Sequence, residues 1–172
     1  MGNQLDESAH MRPNVEAIPP TPLTGSVPSW VDHRTAALVQ AVVASLAQYP
    51  ESQAVILFGS VSRHDERPLT DSEPSDLDLL LLVDSGAETG RLPLDREVTL
   101  RMDIGCIEDC YRDVPREVQI TIVERDLASW DPLFVETVAR DGILLWARGP
   151  LPEPFKSITE RAARHATKPT TK

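Results

Sequence analysis

The sequence contains little that would suit a secreted or membrane-spanning protein. Only two of its 172 residues are cysteines, Cys106 and Cys110, which is too few for a disulfide framework, and no apolar leader of the secretory type is recognisable. The most apolar stretch, residues 77–83, contains Asp78 and is far shorter than the ~20 residues that a bilayer crossing needs. These shortages predict a cytoplasmic protein that does not associate with a membrane.

Basic residues are also scarce. Lysine and arginine together number 17 against 27 aspartates and glutamates, which gives a net charge of −10. Proteins that bind the phosphate backbone of nucleic acids carry a cluster of cations on one face. General nucleic-acid binding is therefore not expected of this acidic chain. The acidic excess lies mainly in residues 64–113, which hold 14 acids and five arginines. This concentration of acids suggests a bound cation or a basic partner.

Proline content and apolar spacing divide the chain into three parts. Residues 1–28 hold five prolines and few apolar residues, which predicts a disordered, Pro-rich arm. Residues 149–172 are rich in proline and basic residues, which predicts a tail with a short helix near residues 157–165. The remaining residues, 29–148, are sufficient for one domain of about 120 residues.

Apolar periodicity predicts alternating helices and strands in this middle part. The first helix is expected to begin at a Ser29 cap and to end before Pro50. Apolar or alternating runs predict four strands, at residues 53–58, 77–83, 118–123 and 143–147. Asp131 is expected to cap a further helix that ends at Gly142. The expected fold is therefore α/β (α+β), with a small mixed sheet of about four strands and helices packed on one side.

The segment 94–110 fits two structures. Five of its residues recur every four positions, as on a helix: Leu94, Val98, Met102, Cys106 and Cys110. Residues 98–106 also alternate, as in a strand. A helix is favoured, because a connection of about 25 residues between apolar strands usually encloses one. No histidine lies near the two cysteines in sequence, so buried thiols are expected rather than a zinc site.

Two motifs point to chemistry. Gly59 and Ser60 follow an apolar strand, where a sharp turn leaves backbone N–H groups free to bind a phosphate. Asp76 and Asp78 open the next strand, and residues i and i+2 of a strand project from one face. Two converging carboxylates suit Mg²⁺, which completes its shell with water and substrate phosphates. Taken alone, these features also fit an ordinary turn and a solvated strand edge.

The motifs resemble the signature of the polymerase-beta-type nucleotidyltransferase superfamily, and most closely the minimal nucleotidyltransferases (MNT) that are paired with HEPN-type toxins. That signature is an apolar strand ending in Phe-Gly-Ser, a nearby arginine, and Ser-Asp-x-Asp opening another apolar strand. The matching residues are Phe58, Gly59, Ser60, Arg63, Ser75, Asp76 and Asp78. The resemblance covers about residues 29–148. It implies a nucleotidyltransferase-like fold, with nucleotide binding by Gly59, Ser60 and Arg63, and Mg²⁺ binding and catalysis by Asp76 and Asp78.

The sequence departs from the family pattern in two places. Fifteen residues, 61–75, separate the serine from the first aspartate, where the family usually has ten, so this loop is extended. The family also carries a third carboxylate on its next strand. The pattern places Thr121 or Gln119 there, and neither is a carboxylate. Asp103 would supply one only if its segment were a strand.

The resemblance implies transfer of a nucleoside monophosphate, AMP from ATP, to a hydroxyl of a protein or small molecule, with Mg²⁺. The alternative is a catalytically weak or inactive relative that acts as a binding or antitoxin module against a HEPN-type toxin. Without the resemblance, the chain is simply an acidic α/β domain that has no role with nucleotides.

Overall fold

The structure, a computed structural model, describes residues 23–84, 86, 92–125, 127 and 130–166. The strands are β1 (Leu23–Thr24), β2 (Ser52–Phe58), β3 (Leu77–Val83), β4 (Val118–Glu124) and β5 (Ile143–Ala147). The helices are α1 (His33–Leu46), α2 (Gly59–Arg63), α3 (Leu94–Cys110), α4 (Pro132–Asp141) and α5 (Lys156–Ala166). No helix in these ranges is long and apolar enough to cross a membrane.

The strands form one mixed sheet in the order β1-β5-β2-β3-β4. The β3–β4 pair is parallel and the other pairs are antiparallel. The predicted α/β class and mixed sheet are confirmed, and all four predicted strands are present. The two-residue β1 adds a fifth strand at the edge.

The helices lie on both faces of the sheet, which corrects the expectation that they pack on one side. Helices α1 and α3 cover the face that carries Val55, Leu57 and Leu79. Helices α4 and α5 cover the opposite face, through side chains such as Val138 and Ile158. The central strands are apolar at consecutive positions, and neighbouring residues of a strand point to opposite faces, so both faces have to be covered.

The folded unit extends beyond residues 29–148 at both ends. Strand β1 pairs with Trp146 and Ala147 of β5, and the Gly25 N–H donates to the Leu145 carbonyl at 3.0 Å. Beyond residue 148, Phe155 is buried in the core. The predicted arm and tail therefore each contribute to the domain. The expectations for residues 1–22 and 167–172 fall outside the described residues.

Helix ends follow local capping chemistry. Asp32, rather than Ser29, caps α1, since its carboxylate accepts hydrogen bonds from the N–H groups of Arg34 and Thr35 at 3.1 and 3.0 Å. Asp131 caps α4 as predicted and accepts from the Leu133 N–H at 2.8 Å. Free N–H groups in the first turn explain both choices.

Residues 94–110 form a helix, as favoured, and Leu100 and Ile104 face the core. Cys106 and Cys110 are free and exposed, so the expectation of buried thiols is wrong. The helix carries two apolar rows, and the spacing that identifies a helix does not say which row faces inward.

Candidate functional site

The candidate site lies where β2 ends and β3 begins. Phe58, the last residue of β2, pairs with Asp78 of β3, and α2 starts at the next residue, Gly59. Gly59 has a φ of +75°, and a Cβ added to it would lie 2.1 Å from Asp78 Oδ2. Position 59 therefore requires glycine for two reasons. Its φ is in the left-handed region, and the Asp78 carboxylate occupies the space that a Cβ would need.

Asp78 is half-buried and lies near two other charged groups. Burial raises the pKa of its carboxyl above the ordinary value, the nearby Asp76 raises it further, and Arg63 opposes both effects. The structure therefore brings together Asp76, Asp78, Gly59 and Arg63, as the sequence predicts. Two carboxylates that repel each other, one of them partly desolvated, form a place where a cation is favoured.

The turn after β2 is held by its own hydrogen bonds. The Ser60 carbonyl accepts from the Asp65 N–H at 3.1 Å, and Ser62 Oγ donates to the Gly59 carbonyl at 2.9 Å. Ser60, the remaining predicted phosphate-binding residue, thus lies in the first turn of α2, directly beside Gly59. Its position is fixed by the backbone of the turn.

Trp30 supports this turn from the side of α1. Its indole N–H donates to the Val61 carbonyl at 3.0 Å, and its ring stacks on His64 at 5.4 Å between centroids. His64 ends α2 in the left-handed conformation, with a φ of 59°, which is uncommon for a residue other than glycine. Sequence patterns do not reveal this contact, because the two rings are 34 positions apart in the chain.

Arg116 fixes the loop that leads into Asp76, and sequence reasoning missed it. This buried arginine donates to the Ser75 carbonyl at 2.5 Å and to the Arg67 carbonyl at 3.3 Å. The Arg67 N–H in turn donates to Ser75 Oγ at 2.8 Å. The extended loop is therefore tied to the start of β4 immediately before the first aspartate. Nothing in the local sequence distinguishes Arg116 from a surface charge.

The register of β4 identifies the residue beside Asp78. In the parallel β3–β4 pair, Asp78 lies opposite Gln119, and Leu80 lies opposite Thr121. Gln119 is exposed, so an amide side chain stands at the open end of the strand next to the carboxylates. Thr121 lies two pairs farther along the β3–β4 register, which makes Gln119 the nearer of the two predicted positions.

Asp103 does not belong to the site. It lies on α3 and accepts a hydrogen bond from the Tyr49 hydroxyl at 2.5 Å. Helix α3 covers the face of Leu79 and Leu81, whereas Asp78 alternates with these residues and shares a face with Leu80. The strand alternative for this segment is excluded, and Asp103 with it.

The two aspartates fit a magnesium ion better than a metal that needs an all-protein site. Among the described residues, no group of three or more histidine, cysteine, aspartate or glutamate side chains could hold a metal ion. Mg²⁺ accepts one or two carboxylates and completes its shell with water and phosphate oxygens. Asp76 and Asp78 supply that number of carboxylates, and burial together with Asp76 raises the pKa of Asp78, an effect that a bound cation opposes.

No protein family and no curated protein matches the sequence. Several solved structures are similar to the chain, among them the following two. One is the crystal structure of a toxin–antitoxin with AMP-PNP, at 15% identity and a TM-score of 0.41, covering 76% of this chain and 86% of that chain. The other is a candidate nucleotidyltransferase from Sulfolobus solfataricus, at 22% identity and a TM-score of 0.38, covering 65% and 79%.

Proposed function

We propose that the protein is a nucleotidyltransferase that transfers a nucleoside monophosphate, AMP from ATP, to a hydroxyl of a protein or small molecule, with Mg²⁺. One observation carries the proposal: the Asp78 carboxylate lies against the Gly59 turn, with Asp76 and Arg63 beside it. A turn with free N–H groups, an arginine and two carboxylates together supply what a metal-bound triphosphate needs.

Each residue then has a distinct task. Asp76 and Asp78 are the residues that would hold Mg²⁺, and the bound ion would supply positive charge that neutralises the phosphates and the leaving pyrophosphate. The backbone at Gly59 and Ser60 and the Arg63 guanidinium orient the triphosphate. The acceptor oxygen forms a bond to the α-phosphorus while the bond from that phosphorus to the bridging oxygen breaks. Pyrophosphate leaves, and the hydroxyl proton passes to water.

Gln119 supports a second candidate function. A third carboxylate beside Asp78 would take the acceptor proton, and an amide cannot. This favours, as the alternative, a relative of weak or lost activity that still binds nucleotide. Such a protein would act as an antitoxin that binds a HEPN-type toxin.

The test of the site is nucleotide binding by Asp78→Ala. We expect at least about a tenfold loss of Mg²⁺–ATP affinity in titration calorimetry, because removal of one of two metal carboxylates removes half of the protein's share of the coordination shell. Asp84→Ala is the matched control, since Asp84 lies just beyond the other end of β3 and is exposed. Equal affinity in wild type and Asp78→Ala would refute the site.

Transfer of label from α-labelled ATP then separates the two candidate functions. An enzyme labels an acceptor and releases pyrophosphate, and Asp78→Ala abolishes both. Binding of Mg²⁺–ATP without transfer favours the binding module. Absence of binding in the wild type rejects both.

A further inference from the structure

Helix α3 carries an exposed apolar row, here called the outer stripe: Leu94, Val98, Met102 and Cys106. Leu94 is 76% exposed, Val98 48% and Met102 67%, and Cys106 is also exposed. Residues four apart lie on one side of a helix, so these side chains form a continuous line. Contiguous apolar surface of this kind commonly marks an interaction site.

The outer stripe cannot turn inward, because the opposite side of α3 is anchored. Leu100 and Ile104 are buried in the core against α1 and the sheet. Asp103 also accepts a hydrogen bond from Tyr49, which follows α1. These contacts fix the rotation of α3 about its axis. Its apolar row therefore stays on the outside of the folded domain.

The charges on α3 indicate what covers the stripe. The helix holds five acids and two arginines, and both arginines already bind glutamates, Arg96 to Glu51 and Arg101 to Glu97. Exposed acids flank the stripe, among them Asp95 and Asp109, and Asp109 pairs with the exposed Arg112 at 3.2 Å. A second copy would bring two acidic helices together, and an anionic lipid surface would be repelled. A basic partner is attracted.

We propose that the outer stripe of α3 is a docking surface for a basic amphipathic helix of a protein partner. Apolar side chains of the partner at i and i+4 pack along the stripe, and flanking lysines or arginines meet Asp95 and compete with Arg112 for Asp109. Seventeen residues correspond to roughly 25 Å of helix, so the matching segment has between four and five turns.

The test uses the full chain and two fluorescein-labelled peptides of 18 residues. Both carry leucines on one helical face, and the remaining positions hold lysine in one peptide and glutamate in the other. Fluorescence anisotropy at moderate salt should show saturable binding of the lysine peptide alone. Met102→Glu should weaken that binding at least tenfold. Leu133→Glu is the matched control, since Leu133 is an apolar residue of α4 that is 71% exposed, and it should change the affinity less than twofold.

The outcomes that overturn the proposal are distinct. Binding of the lysine peptide that neither variant weakens, or that both weaken equally, would mean general attraction to an acidic protein. A dimer in light scattering that Met102→Glu dissociates would mean that a second copy covers the stripe. Circular dichroism should confirm that both variants fold, because both side chains are exposed. No nucleotide is present, so the result is independent of the proposed transfer reaction.

Discussion

At the scale of single residues, the candidate site depends on the close approach of the Asp78 carboxylate to the backbone of Gly59. The carboxylate of Asp78 occupies the place where any side chain at position 59 would begin. The sequence predicts a glycine turn and an aspartate pair separately. Their contact depends on the pairing of Phe58 with Asp78, which local sequence does not encode. The turn and the carboxylates therefore form a single site only in the folded sheet.

Gln119→Asp is predicted to raise nucleotide transfer. Gln119 lies opposite Asp78 in the β3–β4 register, so an aspartate there adds a carboxylate beside the existing pair. A positioned general base contributes roughly 10² to 10⁴ in rate, and we expect a gain near the lower value, with nucleotide affinity nearly unchanged. The rate of label transfer to acceptor measures this.

Thr121→Asp is the comparison variant, since Thr121 lies two residue pairs farther from the open end of the strands. It should give the smaller gain. A larger gain from Thr121→Asp would reverse the assignment of the two positions. Loss of transfer in Asp103→Asn with an intact fold would contradict the exclusion of Asp103.

At the scale of elements, Arg116 links the start of β4 to the loop before β3. Its removal leaves the carbonyls of Ser75 and Arg67 without this charged donor, at a cost of about 1–3 kcal/mol. Arg116→Met should speed amide hydrogen exchange in residues 67–77 and weaken Mg²⁺–ATP binding. Arg116→Lys should partly restore both the slow exchange and the nucleotide affinity. Arg125→Met, at the other end of β4, is the control. Unchanged exchange in Arg116→Met would show that the loop is held by other contacts.

Tyr49 joins the end of α1 to α3 through Asp103 and gives stability that depends on pH. Burial, the hydrogen bond to Asp103 and the charge of Asp103 raise the pKa of Tyr49 from 10.0 to about 12. The folded protein thus favours the protonated phenol, so this stabilisation is complete below pH 10 and is lost as pH rises to about 12. Partial exposure limits it to roughly 1 kcal/mol.

Urea unfolding between pH 9 and 12 tests this link. Tyr49→Phe should be less stable than wild type below pH 10, and the difference should vanish toward pH 12. Tyr111→Phe leaves the Tyr49–Asp103 bond intact and should keep the alkaline loss of the wild type. If the difference in unfolding free energy between Tyr49→Phe and wild type stays constant with pH, the folded state does not raise the pKa of the Tyr49 phenol.

The elements themselves were largely predictable, whereas their orientation was not. Apolar runs identify β3 and β5 to the residue, and Asp131 identifies the start of α4. Periodicity also identifies α3, but it does not say whether the row of Leu94 or the row of Leu100 faces the sheet. That choice depends on packing against α1, a contact between distant parts of the chain. The role of Arg116 was not predictable either, because its hydrogen-bond partners, Ser75 and Arg67, are also distant in the sequence.

At the scale of the whole molecule, the change of strand direction within the sheet creates the site. Strands β2 and β3 are antiparallel, and β3 and β4 are parallel. The end of β2 and the starts of β3 and β4 therefore meet at one edge. Gly59, Asp78 and Gln119 come together there, while helices on both faces bury the rest of the strands.

Described residues on either side of 29–148 complete this core, although proline content predicted that they lie outside it. Composition underestimates how well a short segment is ordered when it packs on a domain that is already folded. Most of the apolar surface that such a segment buries is contributed by residues in other parts of the chain. Phe155 and Ile158 are fully buried opposite β2 and β3, although four prolines lie between residues 150 and 169. The proline-rich stretch is therefore a connection to α5 that belongs to the domain.

Two N-terminal deletions test where the domain begins. Removal of residues 1–22 leaves β1 intact, whereas removal of residues 1–28 deletes β1, the hydrogen bond from Gly25 to Leu145 and the apolar contacts of Val27 with the core. The shorter deletion should keep the melting temperature within about 2 °C of the full chain. The longer one should lower it by a further 4 °C or more, since a loss of 1 kcal/mol corresponds to roughly 2–4 °C in a domain of this size. Equal melting temperatures for the two deletions would mean that β1 contributes nothing to stability and that the domain begins at the cap of α1.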